Sequence, residues 1–394
     1  MTPSKLVLPV IVIAQFCCTS LWFAGNGVIA DLVLNFNLSD TALGHLTSAV
    51  QIGFIVGTLS FAILTIADRI SPSKVFFVCA LIGALFNLGI IYEGNNLSSL
   101  LFLRFLTGFF LAGIYPIGMK IAADYYEKRL SKSLGFLVGA LVIGTAFPHL
   151  LKNMTGAFSW KSVLIATSSF AVLGGVLMLT LVPNGPYRKG GKSLNLLAFF
   201  QVFRNPEFRT SSFAYFGHMW ELYAFWAFVP IILKEYYTKH SQIDFNVSLW
   251  SFIIIAIGGL ACVLVGYISQ KSGTKRMAFI SLLFSFSCCL ISPLMFSVEN
   301  DLVFLSFLLF WGMVVIADSP LLSTLVAQNA PDEMKGTALT IVNCIGFSIT
   351  IISIQLINGM HALTDSNSIY SILAIGPFLG LIALRQKNKT SRNN

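Results

Sequence analysis

Apolar residues run through this chain in blocks of about twenty, each closed by a charge or a Pro/Gly cluster, and an α-helix needs that length to cross a hydrocarbon layer about 30 Å thick. Six blocks, near 6–30, 43–66, 75–92, 98–122, 133–153 and 161–182, are followed by a gap and then by six more near 208–233, 247–268, 277–297, 301–327, 336–359 and 368–384. The pattern predicts an all-α membrane protein with twelve transmembrane helices. The first block is too long for the apolar part of a signal peptide and lacks a small-residue cleavage site, so it reads as a membrane helix. The gap predicts a six-helix bundle over 1–183, a linker over 184–207, and a second six-helix bundle with a short basic tail over 208–394. The linker starts polar and basic, from Pro183 to Ser193. It continues from Leu194 to Phe203 as an amphipathic segment suited to the membrane surface. Asn205-Pro206-Glu207 then reads as a helix start, with Pro tolerated in the first turn.

Composition sharpens this picture. Of 394 residues 56% are hydrophobic and 10% charged, with a mean hydropathy of +0.81, where a soluble domain carries about 25% charged residues. That excludes a water-soluble fold. The net charge of +9 would point to nucleic acid in a soluble protein, but here the basic residues stand in loops between apolar runs, so no nucleic-acid partner is expected. Retention of Lys and Arg on the cytoplasmic side favours an N-in topology. It leaves Lys152, Lys161, Lys234 and Lys239 outside and Arg104 within a span, with the other twenty of the 25 basic residues inside. Both termini are then cytoplasmic, and the location is the inner membrane. The seven cysteines all lie in apolar stretches without metal-ligand spacing; no metal or cofactor is expected. Gly191-Lys192-Ser193 resembles the end of a phosphate-binding loop, but Pro186 stands where that motif needs Gly and no strand precedes it, so a nucleotide site is not supported.

A loop recurs after the second and eighth blocks. One copy reads Leu64-Thr-Ile-Ala-Asp68-Arg69-Ile-Ser71-Pro-Ser-Lys74, the other Gly266-Tyr-Ile-Ser-Gln270-Lys271-Ser-Gly273-Thr-Lys275-Arg276, offset by 202 positions. The first keeps an acidic-basic pair and the second keeps the glycines. In the fourth block Arg104-Phe-Leu-Thr-Gly108 precedes Ala112-Gly113, and Gly108 and Pro116 have counterparts in Gly312 and Pro320, both 204 positions on. These features resemble the signature loop and the Arg-x-x-x-Gly motif of major facilitator superfamily transporters, over essentially the whole chain. The resemblance implies two pseudo-symmetric six-helix bundles that rock about a midplane site. It also implies that Asp68, Arg69, Gly266, Gln270, Lys271, Gly273, Lys275 and Arg276 form a conformational loop whose charges cap helix ends and latch the halves together. Gly135, Gly139, Gly144 and Pro148 resemble the glycine-rich motif of drug/proton antiporters only in part, since Phe147 stands where Gly precedes the proline; helix packing explains them equally well.

Charged residues within membrane spans are costly, about 2.5–3.5 kcal/mol each on insertion scales, and so are candidates for function. Arg104 is permanently charged. His218 and Glu221 share one face of the seventh helix near the midplane, and each changes charge within reach of neutral pH when desolvated. Glu221 is the first choice as proton carrier, with His218 as its partner or a substrate ligand. Asp318, ahead of Ser319-Pro320, is the second carboxylate candidate. Trp22, Asn26, Tyr115, Trp220, Tyr223 and Trp226 join Arg104 and His218 as a substrate-binding set with flat apolar faces and polar edges. The alternatives are buried hydrogen-bonded pairs for the charges and packing for the aromatics.

The expected function is proton-coupled secondary transport, by a monomer, of a small polar or amphipathic organic solute, anionic if Arg104 recognises it. Export of a drug-like compound or siderophore competes with this, and a flux-free sensor is the alternative of another class. No nucleophile-base constellation supports an enzyme.

Overall fold

In a computed structural model the chain is described over residues 6–39, 41–126, 130–155, 159–188, 202–240, 246–331, 335–364 and 366–385. Most of the predicted amphipathic segment, the Gly191-Lys192-Ser193 tract and the basic tail lie outside these residues. Among the described residues the regular structure is helical, and eleven helices are long and apolar enough to cross a membrane. A shorter apolar helix, α1 (Val7–Thr19), precedes them.

The first predicted block is not one helix. It runs as α1, α2 (Ala24–Gly27) and α3 (Ile29–Phe36), and Asn37 ends α3 in the left-handed conformation at φ 50°. A Cβ on Gly27 would strike Pro148 of the fifth predicted block. Next come α4 (Ala42–Ile63), α5 (Ile66–Arg69) and α6 (Pro72–Gly89). The fourth block divides into α7 (Leu97–Leu111) and α8 (Tyr115–Tyr125), with α9 (Leu130–Met154) and α10 (Lys161–Leu181) after it. Beyond the linker lie α11 (Pro206–Lys239), α12 (Val247–Ser272), α13 (Thr274–Met295) and the divided pair α14 (Asp301–Ala317) and α15 (Ser319–Asn329). The chain closes with α16 (Lys335–Leu363), a 3-10 segment over Asn367–Ala374, and α17 (Ile375–Arg385). Proline explains two of the divisions. Pro116 and Pro320 lack the N–H that Ala112 and Ile316 would otherwise accept, so the helix loosens just before each ring.

Helix association in lipid relies on close packing, because the tails are as apolar as the helices. Gly53 and Gly57 of α4 press on the backbone of Phe105 and Phe109 in α7, and Gly108 presses on the Val50 carbonyl. The same contact recurs between α12 and α14, where Gly312 presses on the Ile254 carbonyl. Both of its members lie 204 positions beyond their counterparts, so the offset seen in the sequence reappears as a matching helix crossing. Contacts also join early and late helices, α4 with α16 and α9 with α12.

At one end of the molecule neutral amides tie these pairs together. Gln355 donates to the Gly44 carbonyl at 2.9 Å and to Ser48 Oγ at 2.7 Å, and Asn358 donates to the Thr41 carbonyl at 3.0 Å. Asn246 donates to Asn153. Lys152 pairs with Asp31 at 2.8 Å and Lys161 with Glu93 at 2.7 Å near this end. By hydrogen bond and by charge, Lys161 holds the exposed Glu93 carboxyl below its ordinary value.

The opposite, basic end carries the repeated loop. Asp68 pairs with Lys120 at 3.0 Å, closer than the Lys120–Asp124 pair at 4.0 Å that the spacing suggests. Arg69 donates to Thr65 Oγ1, and Arg188 donates to the Asp68 and Ile70 carbonyls. The bonds of the first copy thus fasten residues before the linker to one another and to Arg188, where a latch to the second half was expected. In the second copy Gly273 has φ 88°, which turns α12 into α13 and favours glycine. No atom lies within 4 Å of where a Gly266 Cβ would stand, so close packing does not explain that glycine. Gln270, Lys271, Lys275 and Arg276 are exposed.

Forcing a side chain into a backbone crossing is expected to destabilise the fold. Gly312→Leu should lower the Tm in detergent by roughly 5 °C or more, as overpacking of a tight contact does. Gly359→Ala, where no atom lies within 4 Å, should leave it unchanged; differential scanning fluorimetry of the two variants checks this.

Candidate functional site

Aromatic rings fill the centre of the molecule. Trp22 and Phe23, from the turn between α1 and α2, meet Phe54 of α4, Tyr223 and Trp226 of α11, and Phe347 of α16. The Trp22 ring stacks on Tyr223 at 5.7 Å and 25° and on Phe347 at 5.6 Å and 27°. Tyr223 and Trp226 meet edge to face at 5.3 Å. The cluster is buried, and its rings pack against one another. Two indole donors in it, Nε1 of Trp22 and of Trp226, have no hydrogen-bond partner among the described residues. A buried unpaired donor costs about 1–3 kcal/mol, and an acceptor that enters the cluster would recover that energy.

Arg104 stands beside this cluster, 1% exposed, on α7. Its guanidinium donates to the Leu21 carbonyl at 3.1 Å and to the Trp22 carbonyl. Both carbonyls lie in the turn that follows α1, where the helix leaves acceptors free and its dipole is negative. Arg104 therefore takes carbonyls as its partners here, while its Nε remains unpaired.

The expected His218–Glu221 partnership is not formed; the two side chains turn to different neighbours. His218 Nδ1 lies 2.8 Å from Asp318 Oδ1, with both side chains 1% exposed. The approach is off hydrogen-bonding geometry, and neither Asp318 oxygen nor His218 Nε2 has a hydrogen-bond partner among the described residues. Asp318 occupies the joint between α14 and α15 that Pro320 creates. Glu221 points into the group α11, α13 and α14. Its Oε1 accepts from Ser285 Oγ at 2.7 Å, Trp311 Nε1 at 2.6 Å and Cys289 Sγ at 3.2 Å.

The other predicted residues divide. Tyr115 is half-buried and packs against the central core. Asn26 is buried and donates to Thr47 Oγ1 at 2.8 Å, joining α2 to α4. Trp220 lies apart from the rings: its Nε1 donates to the Ile372 carbonyl at 3.2 Å, and its side chain covers Gly376. Sequence reasoning missed Phe54 and Phe347, which nothing distinguishes among 35 phenylalanines. It also missed Ser285, Cys289 and Trp311, which face Glu221 only once three helices pack. Gln15 and Gln51 are fully buried amides without partners among the described residues; a polar residue in an apolar run is the signal that marks them.

The family described as the Major Facilitator Superfamily matches residues 11–354. The chain belongs to the Major Facilitator Superfamily. That family is one of membrane transporters, in keeping with the eleven helices among the described residues that are long and apolar enough to cross a membrane. Over 165 residues this superfamily member is 32% identical to the 4-hydroxybenzoate transporter PcaK of Pseudomonas aeruginosa and 33% identical to that of Pseudomonas putida. Each match covers 40% of this chain and 34% of the relative, so the matched part spans about a third of the length of these curated relatives. Over 171 residues, 43% of this chain and 41% of the relative, it is 25% identical to an uncharacterized transporter of Buchnera aphidicola subsp. Schizaphis graminum.

Three donors on one Glu221 oxygen tie α11 to α13 and α14. Trp311→Phe keeps the aromatic bulk and removes one of them, so stability should fall by about 1–3 kcal/mol with substrate KM unchanged. Thermal unfolding alongside uptake kinetics separates the two effects.

Proposed function

We propose that this superfamily member is a proton-coupled secondary transporter for a small organic anion, with the aromatic centre and Arg104 as the substrate site and the Asp318–His218 pair as the proton site. The observation that carries this reading is the set of unpaired buried donors beside the ring cluster: the indole N–H groups of Trp22 and Trp226 and the Arg104 Nε. Buried polar groups are nearly always satisfied, and in a transporter the missing acceptor is supplied by cargo. A carboxylate matches donors of this kind. The partial similarity to 4-hydroxybenzoate transporters supports the same class.

The architecture in this proposal is two bundles, 1–183 and 208–394, joined by a cytoplasmic linker over 184–207, with twelve spans, both termini cytoplasmic, in the inner membrane. The α1–α3 stretch is the first span, crossing with a break at Ser20–Phe23. Orientation rests on the basic loops; Lys152 and Lys161, assigned to the outside, are both neutralised by acids. The amide bonds at Gln355, Asn358 and Asn246 then close the outer face. Alternating access breaks these and repacks the rings around the cargo.

Asp318 precedes Glu221 as proton carrier because its oxygens lack hydrogen-bond donors, whereas Glu221 Oε1 holds three. In proteoliposomes, an imposed inward-acid gradient should drive concentrative uptake of 4-hydroxybenzoate or a related small organic anion. Asp318→Asn should lose this accumulation while retaining counterflow exchange. Wild-type uptake that ignores the gradient would overturn proton coupling.

Trp226→Phe and Trp22→Phe keep the rings and remove one N–H each. Each should raise the KM for the anion about tenfold, the size of a hydrogen bond to a charged group, with little change in Tm. An unchanged KM in both variants would remove the indoles from the site.

A further inference from the structure

A crevice of about 320 Å³ opens at the basic end between α9, α12, α13 and α15, away from the ring cluster. Ser269, Gln270, Thr274, Thr324 and Gln328 line it with hydroxyls and amides, and Cys262 and Pro320 lie at its inner limit. Phe136, Val263 and Tyr267 form an exposed apolar rim. Gln270 to Cys262 and Gln328 to Pro320 are each eight residues, so the crevice reaches about 12 Å along both helices.

Its inner limit brackets Asp318. Cys262 Sγ donates at 3.3 Å to the Ile316 carbonyl, which Pro320 deprives of its N–H four residues on, and Ile316 and Pro320 stand two residues before and after Asp318. The Asp318 oxygens and His218 Nε2, all buried and without hydrogen-bond partners among the described residues, lie behind this wall. Gly135 and Gly266 keep the crevice open, since a Cβ on either would meet no atom within 4 Å.

We infer that this crevice is a water path by which protons reach the Asp318–His218 pair from the basic end, separate from the route of the cargo; the inference rests on the proton-coupled reading above. The hydroxyls and amides set among its mostly apolar walls can hold waters, each with polar partners. The lining carries no fixed charge that would trap the proton on the way. The ionisable groups near the inner end are Asp318, His218, the Cys262 thiol and the Tyr115 phenol. Glu221, one helical turn beyond His218, is committed to donors from α13 and α14.

The test uses 2-sulfonatoethyl methanethiosulfonate on everted membrane vesicles carrying Thr324→Cys, with modification at position 324 read by peptide mass spectrometry; Thr324 lines the crevice and is half-buried, whereas the Cys262 thiol is buried and inert. Position 324 should be modified. Gly135→Phe, which fills the crevice, should cut that modification about tenfold and slow uptake driven by a pH gradient to a similar degree, with counterflow without a gradient unchanged. Thr324→Leu, an apolar block on the opposite wall, should slow driven uptake in the same way and guards against misfolding of the first variant. An unmodified position 324 would overturn the inference. So would equal loss of counterflow and driven uptake in correctly folded variants, which would make the crevice the cargo path. If wild-type uptake ignores the gradient, the proton-coupled reading itself fails, and modification at position 324 would then report only a water-filled recess.

Discussion

Hydrocarbon supplies no hydrogen bonds, so any backbone group released within a membrane helix must find a partner inside the protein. The principal polar features of this molecule follow from that demand. Where the first predicted block breaks after α1, the Leu21 and Trp22 carbonyls lie outside a continuous helix and Arg104 donates to both. Where Pro320 interrupts the tenth predicted block, the Ile316 carbonyl lacks the N–H four residues on and Cys262 donates to it. Each break also places a side chain of the proposed site: Trp22 enters the ring cluster at the first, and Asp318 occupies the second. The breaks thus connect backbone chemistry to the site, and a continuous helix at either place would remove both the acceptor and the geometry.

Much of this was readable from residues alone because its causes are local or periodic. Block length in an apolar chain gives the spans. The 204-position offset gives the paired crossings, since Gly108 and Gly312 each meet a carbonyl that no side chain could approach. Isolation in an apolar run marks Arg104, His218, Glu221 and Asp318. Partner choice was not readable. His218 and Glu221 share a helix face, yet a helix 34 residues long presents neighbouring turns to different helices. The pair therefore separates, one toward α15 and the other toward α13 and α14. Likewise Asp68 meets Lys120 only after α5 and α8 fold side by side.

The difference between the two buried carboxyls is an argument about chemistry. Glu221 closes a polar network in which every hydrogen bond runs to one oxygen from another helix; such a network rigidifies the group of helices that contains it. Asp318 sits at a joint, beside an imidazole, without a hydrogen bond of its own among the described residues. A group that must gain and lose a proton in each cycle should not be the group on which helix packing depends, because every protonation would then strain the fold.

At one end of the molecule, hydrogen bonds join early helices to late ones. They come from Gln355, Asn358 and Asn246, all neutral amides on carbonyl or side-chain oxygens. Each exposed or half-buried hydrogen bond of this kind contributes about 0.5–1.5 kcal/mol net, because water replaces it when it opens. A charged lock there would cost more to break and would respond to salt and pH. In the proposed transport cycle, neutral amides would give a closure weak enough for the binding energy of a small cargo to reverse, since a ligand shifts such an equilibrium only by its differential affinity for the two states.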